Sequence, residues 1–421
     1  MNYEYLMNLG NVNYIWKEFV YFFHRLTLAV SDKDMPIIKK MSIKKILSLI
    51  FILKTTLIFS QNCDCKSTFG WVKETFENND AGFQYIIDKK GQESYKIHNQ
   101  IYFSRVDKIN KPKECESTIR EWLAFFRKSH VEFHYLGEDN IEIDNSEKNN
   151  ENVIIQNEKI DNPLYKKYLE FNEPFIERLN SKTLYFRIPS FNNSEKAAID
   201  SLIEKYKNEI LITENLIIDI RNGTGGSDNS YKNILPFIYT NPIRMPSVEF
   251  LSTPLNNRRM YELATNTGFA LEFGIQSSEE DKAEFMKNYL KLNNHLGEFV
   301  NLNSSKINIY KQDTIYKFPK EVAILINENN VSTDEQFILE SRQSKKVKLF
   351  GRTTKGGLDM SNLYVAKSEN KDFVLVYALS RSLRIPNMIV DDIGIMPDFF
   401  LDEEIPEQEW IEFVSEILNQ Q

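Results

Sequence analysis

Soft metal ligands are scarce in this chain. Its 421 residues include three cysteines and five histidines, and no second close Cys/His pair completes the four ligands of a zinc site. No metal or cofactor is therefore expected. No basic stripe interleaved with aromatics occurs, and the net charge is −8, which argues against a nucleic-acid partner. No fixed-period repeat is present, so a solenoid is excluded. A Walker A string and the dinucleotide Gly-x-Gly-x-x-Gly layout are both missing. No Gly-x-Ser-x-Gly elbow is found either, which counts against an esterase or lipase. What is present is a globular composition, 42% hydrophobic, long enough for two or three domains.

The first 60 residues differ from the rest. Lys44-Lys45 precede an apolar run over 46–60 that ends on Ser60 and is followed by polar Gln61-Asn62. A basic start, a short apolar core and a small residue at its end describe a secretory signal. The run is too short for a membrane span and is interrupted by Lys54; an uncleaved anchor helix is the alternative, and the only membrane association expected. Met41 sits where such a signal should begin, so residues 1–40 read as an upstream extension and 41–61 as the signal peptide, a leader over 1–62. An exported protein, periplasmic, cell-surface or secreted, is permitted a disulfide. Cys63 and Cys65 are too close to pair comfortably, which leaves one of them for Cys115 and one thiol over.

Residues 63–136 read as a helical domain, with Phe69, Val72 and Phe76, then Ile119, Trp122, Leu123 and Phe126, at three- and four-residue spacing. The stretch 137–180 is largely Asn/Glu-rich and reads as a polar linker. From 181 to 405, strand signals (183–188, 216–220, 322–326, 347–350, 373–379) alternate with helical ones, which argues for an α/β core. An insertion over 240–309, with a helix from 279 to 296, is long enough to form a lid or cleft rim. Residues 406–421 read as a closing helix.

Two strings carry chemistry. Asp219-Ile-Arg-Asn-Gly-Thr-Gly-Gly-Ser227 follows a buried strand; its glycines can aim successive N–H groups at one point, as for a phosphate or the oxyanion of acyl transfer, or can make a plain tight turn. Asn330-Val-Ser332-Thr-Asp-Glu335 lies between a strand and a helix, where a serine hydroxyl is presented beside free N–H groups. The same string is also an ordinary helix cap.

Together with Gly351-Arg-Thr-Thr-Lys-Gly356-Gly357 and Asp391-Asp-Ile-Gly394-Ile-Met-Pro397-Asp398, these strings resemble, in order, four motifs of the S41 serine peptidases, the tail-specific and tricorn-type C-terminal processing proteases. The resemblance covers about residues 180–402. It implies a ClpP/crotonase-like ββα core and peptide or protein substrates bound in extended form. Ser332 falls at the nucleophile, with the N–H groups of Gly225 or Gly226 and of Thr333 as oxyanion hole. Trp122-Leu-Ala-Phe-Phe-Arg-Lys-Ser129-His130 resembles the tricorn-type helix that brings in a histidine, so His130 would be the base, with Asp391 orienting the ring directly or through Ser129. The lysine of tail-specific members falls on Gly357, and Lys355 lies two residues early, leaving a Ser–Lys dyad as an alternative. His134 lies past the motif, His295 is in the insertion and His24 in the leader. The 137–180 stretch is too short for a full PDZ module. A scaffold that holds peptides without cleaving them is the remaining alternative.

Overall fold

The structure, a computed structural model, describes residues 63–137, 172–303 and 305–420. The expected upstream extension and signal peptide, and most of the 137–180 stretch, lie outside the described residues.

Four helices open the described chain: α1 (Cys65–Asn79), α2 (Phe83–Lys90), α3 (Gln92–Val106) and α4 (Pro112–Leu123). Asp64 caps α1 by accepting from the Ser67 amide at 3.0 Å, and Pro112 starts α4 at a position whose N–H has no helical partner. Their apolar stripes meet in an aromatic cluster, with the Phe76 and Phe126 centroids 4.7 Å apart and Trp122 5.0 Å from Phe126. Cys65 is bonded to Cys115, tying α1 to α4, and Cys63 is free. The helices do not form a domain of their own. Residues 63–421 are one compact unit, and the segment ends in a strand, β1 (Glu132–Tyr135), paired antiparallel with the strand Phe373–Ser382. The cluster continues into Leu375, Tyr377 and Leu379 of that strand.

The central sheet is built from β2 (Phe175–Arg178), β3 (Thr183–Arg187), β4 (Asn215–Asp219), β9 (Glu321–Ile326), β10 (Val347–Gly351) and β13 (Phe399–Phe400), in the order β13-β10-β9-β4-β3-β2. All its pairs are parallel except β2 with β3. β3 and β4 are buried along their whole length, as expected of parallel strands covered on both faces. β2 falls inside the stretch read as linker. Its Phe175, Ile176, Glu177, Arg178 run does not alternate and is too short to stand out in a polar context. Helix α5 (Lys196–Ile210) packs on one face, and α9 (Trp410–Gln420) on the other through Trp410 and Val414.

The insertion is part of the fold rather than a flap. It supplies β5 (Ile243–Pro246), β6 (Val248–Leu251), α6 (Pro254–Thr265), α7 (Glu279–Asn293), β7 (Phe299–Val300) and β8 (Ile307–Tyr310). β5 pairs with β8. β6 joins a second, antiparallel sheet of order β1-β12-β6-β7, where β12 is Phe373–Ser382 and β11 (Met360–Lys367) also pairs with it. A further core helix, α8 (Thr333–Ser341), follows β9 after a six-residue turn.

Candidate active site

β4 and β9 are adjacent, so the turns leaving their C-terminal ends lie side by side, where open α/β sheets place their ligands. Asparagines stitch these turns together. Asn222 N–H donates to Asn327 Oδ1 at 3.0 Å, Asn327 Nδ2 donates to Asn222 Oδ1 at 2.8 Å, and Asn330 Nδ2 donates to the Ile220 carbonyl at 2.6 Å. At the start of the glycine loop, Asp219 is buried against Arg221 at 2.7 Å and Arg187 at 3.5 Å. Burial works against its charge, yet the two guanidinium groups hold its carboxyl below the usual range.

Ser332 occupies the N-cap of α8 and forms a capping box with Glu335, which accepts the Ser332 N–H at 3.3 Å. Its backbone is not that of an ordinary cap. Caps are extended, whereas Ser332 has φ 61° and ψ −119°, a sparsely populated region that costs about 1–3 kcal/mol and gathers at functional sites. The Ser332 N–H also donates to the Gly357 carbonyl at 3.1 Å. Glu335 accepts from Thr354 Oγ1 at 2.5 Å and from the amides of Gly356 and Gly357 at 2.8 and 2.9 Å, so it anchors the 354–357 segment beside the serine.

Gly225 has φ +92°, and a Cβ placed on it would lie 2.8 Å from the Ser332 Cβ. The amide of Gly225 is turned against the Asp334 carboxyl instead of the serine. Among the described residues, the amides of Gly226 and Thr333 donate no hydrogen bond.

His130 follows α4 and its frayed end, with φ 60°. Arg127 fixes this turn by donating Nε to the Ser129 carbonyl at 3.1 Å and Nη2 to the His130 carbonyl at 2.8 Å, while Nη1 meets Asp80 at 2.7 Å. The ring Nδ1 is bonded to the Met360 carbonyl. A carbonyl only accepts, so Nδ1 carries the proton and Nε2 keeps its lone pair. Burial lowers the His130 pKa to about 4, the Met360 bond opposing and Arg127 adding to the shift.

Asp391 does not touch the ring, contrary to expectation. Its carboxylate accepts from the amides of Leu358, Asp359 and Met360 at 2.6, 2.6 and 3.2 Å, so it reaches His130 only through the backbone of Met360. The shorter aspartate side chain is fully used by that loop. Asp359 returns the arrangement, accepting from the Val390 and Asp391 amides at 2.6 and 2.9 Å and from Arg384 Nε at 3.0 Å. Burial, with Asp359 beside it, pushes the Asp391 carboxyl up to about 6. The Ser129 hydroxyl is buried without a partner and packs at Gly357, where an added Cβ would come 2.8 Å from its Oγ. No hydrogen bond joins the His130 ring to the Ser332 hydroxyl among the described residues; such bonds in unliganded sites often form only with substrate.

The other candidates separate clearly. Lys355 is exposed and its backbone amide donates to the Asn330 carbonyl at 2.9 Å. His134 sits on β1 between Glu132 at 2.8 Å and Glu116 at 3.7 Å. His295 lies against Glu298 at 3.3 Å, and His24 is outside the described residues. Asp80, Arg127, Glu335, Asn330 and Met360 carry the geometry without having been singled out; only the Glu335 of the capping string had a readable signal. Among the described residues no three His, Cys, Asp or Glu side chains gather as metal ligands.

A groove of about 520 Å³ runs along the outer face of α8, lined by Met245, Pro246, Leu339 and Met388 with Arg244 and Arg384 beside them. It is linked to the serine through Gln336, whose Oε1 accepts from Arg384 Nη1 at 3.4 Å and whose amide bonds the Ser332 carbonyl at 3.0 Å.

The family model described as Peptidase family S41 matches residues 182–400, half of the chain. Among solved structures, a candidate peptidase from Parabacteroides merdae is 13% identical, covering 85% of this chain and 97% of its own at a TM-score of 0.49. A lipoprotein from Streptococcus agalactiae is 16% identical, covering 86% and 99% at a TM-score of 0.44. Mature CPAF, solved with lactacystin, is 16% identical over 56% of this chain and 51% of its own, at a TM-score of 0.39. No curated protein matches significantly.

Proposed function

The chain belongs to peptidase family S41, a family of serine-type peptidases, and from that premise we propose that it is an exported endopeptidase of the C-terminal processing type that works through an acyl-enzyme on Ser332. The observation that carries this reading is the strained serine backbone, φ 61°, at a strand-to-helix turn pressed against a glycine loop. Export is supported by the signal-like segment and by the Cys65–Cys115 bond.

In this mechanism the Ser332 Oγ attacks the peptide carbonyl carbon and forms a C–O bond while its proton passes to His130 Nε2. The carbonyl oxygen becomes an oxyanion, held by the N–H groups of Gly226 and Thr333. The C–N bond then breaks, and the leaving amine takes the proton from Nε2. Water repeats the sequence on the acyl-enzyme, returning the serine and releasing a carboxylic acid. Met360 keeps the ring in the productive tautomer, and Asp391 holds Met360. Ser129, with its hydroxyl unspent beside the 357 segment, supports the histidine turn. An extended peptide lying across the site would place a neighbouring side chain in the groove on α8.

Lys355 fits the role of base poorly. A Ser–Lys dyad needs a lysine desolvated enough to be neutral, and this one is exposed. A peptide-holding scaffold is the second reading, favoured by the missing hydrogen bond between His130 and Ser332 and by the lack of a carboxylate on the ring.

Peptide-library hydrolysis by the mature protein, repeated with Ser332→Ala, His130→Ala and Lys355→Ala, tests the assignment. Loss of cleavage is expected for the first two and retention for the third. Because burial keeps His130 neutral above pH about 4, the acid limb of kcat/KM should fall only as pH drops through that value. Cleavage that needs Lys355 and ignores His130 would overturn the base, and no cleavage of any peptide by folded protein would favour the scaffold.

A further inference from the structure

One buried acid in the site has no part in the steps above. Asp334 is the second residue of α8 and is 1% exposed. Acidic residues in a first helical turn usually face solvent near the positive end of the helix dipole; this one turns inward beneath the glycine loop. Its Oδ2 accepts from Asn330 Nδ2 at 2.9 Å, and its carboxyl fills the space that the missing side chain of Gly223 leaves. The amides of Val331, in the nucleophile turn, and Gly225, in the glycine loop, both lie against it. Asp334 therefore touches the two segments whose Thr333 and Gly226 amides face the reaction.

Its N–H donors, Asn330 Nδ2 and the Val331 and Gly225 amides, favour a carboxylate, but burial and the charges around it oppose one and outweigh them. Its Oδ1 is buried with no hydrogen-bond partner, and among the described residues no lysine or arginine pairs with it. The charged neighbour that acts on it is Glu335, of like sign, itself bound to the 354–357 segment. On the glycine-loop side, Asp219 and Arg221 are paired with each other at 2.7 Å. Burial pushes the Asp334 carboxyl up to about 7. Gly225 connects this group to the reaction, being in contact with Asp334 on one side and with Ser332 on the other. A negative charge at Asp334 would stand one residue away from where a second negative charge must develop.

Resting on the assignment of Ser332 as nucleophile, we propose that Asp334 is a positioning residue of the oxyanion site that serves as the neutral acid. It holds the glycine loop to the nucleophile turn without setting a carboxylate beside the oxyanion. Ionisation of Asp334 therefore lowers turnover, and Asp334→Asn, which keeps the shape and stays neutral, removes that loss.

The test is the pH dependence of kcat and KM of the mature protein and of D334N between pH 4 and 9. Wild type is expected to lose kcat above pH about 7, by about tenfold per pH unit, with KM nearly constant. D334N is expected to keep its kcat at pH 8–9. The same fall in both proteins, or a kcat reduced equally at every pH in D334N, would overturn the proposal. A readout without catalysis separates this from failure of the peptidase mechanism: the 13C signal of labelled Asp γ-carboxyls that is missing from D334N should titrate near 7. Titration near 4 would equally contradict it, whether or not any peptide is cleaved; should D334N not fold, the signal is assigned in wild type through its bonds to the Asp334 backbone and the same reading applies.

Discussion

The backbone of Gly225 runs so close to Ser332 that a methyl group on it would meet the serine Cβ at 2.8 Å and the Val331 carbonyl oxygen at 3.1 Å. Residues more than a hundred positions apart are thus in van der Waals contact, and neither can move without the other. Gly225→Ala must push the glycine loop off the nucleophile turn and also strain a backbone at φ +92°. A misplaced oxyanion donor costs about 100- to 1,000-fold in kcat, and that loss is the expected result. Gly91 is the control, with φ +89° but nothing within 4 Å of an added Cβ. Gly91→Ala should cost only about 1–3 kcal/mol of backbone strain and leave kcat unchanged. Thermal melts and peptide hydrolysis on the two variants check both statements.

Arg127 and Asp80 form a buried ion pair, 2% and 0% exposed at their side chains. Arg127→Ala leaves the Asp80 carboxylate buried without its counter-charge, a loss of about 3–5 kcal/mol. The carbonyls of Ser129 and His130 lose their donor as well. Lysine cannot reproduce the bidentate fork, so Arg127→Lys should recover part of the stability and little of the activity. Denaturant unfolding beside kcat/KM measures the split. Equal recovery of both would mean that the arginine supports folding without aiming the histidine.

His134 provides the opposite case. The carboxylates of Glu116 and then Glu132 raise its pKa to about 9, so the folded state binds the proton more tightly than the unfolded chain, whose histidines titrate near 6.5. Its contribution is therefore complete below pH about 6.5 and disappears as pH rises through about 9. With its side chain 40% exposed, solvent screening keeps this below about 1 kcal/mol. His134→Gln should lower stability at pH 6, change nothing at pH 10, and leave hydrolysis intact. A loss of activity would show that the wrong histidine has been assigned as base.

Much of this was legible in the sequence because it is local. The buried runs of β4 and β9, the glycines after one and the serine after the other lie within short windows. Met360 and Asp80 had no such signal: one contributes a backbone carbonyl, which any residue type offers, and the other is one aspartate among many until Arg127 folds onto it. Asp391 was found by position in a motif, yet its partners are amides, and amides leave no trace in residue type. The cysteine pairing stayed open for a similar reason. Cys63 and Cys65 differ in sequence by two places, but only Cys65 turns inward on α1 toward α4, while Cys63 remains half-buried ahead of the helix. β1 and β2 are four residues each, too short for alternation to separate them from their surroundings.

Labelling of the mature protein with a fluorophosphonate, followed by mass mapping of the adduct, tests most directly whether Ser332 is an activated nucleophile. One adduct on Ser332 is expected, absent from Ser332→Ala and strongly slowed in His130→Ala. Folded protein that takes up no label at Ser332 across pH 4 to 9, or labels there at the same rate without His130, would contradict the mechanism.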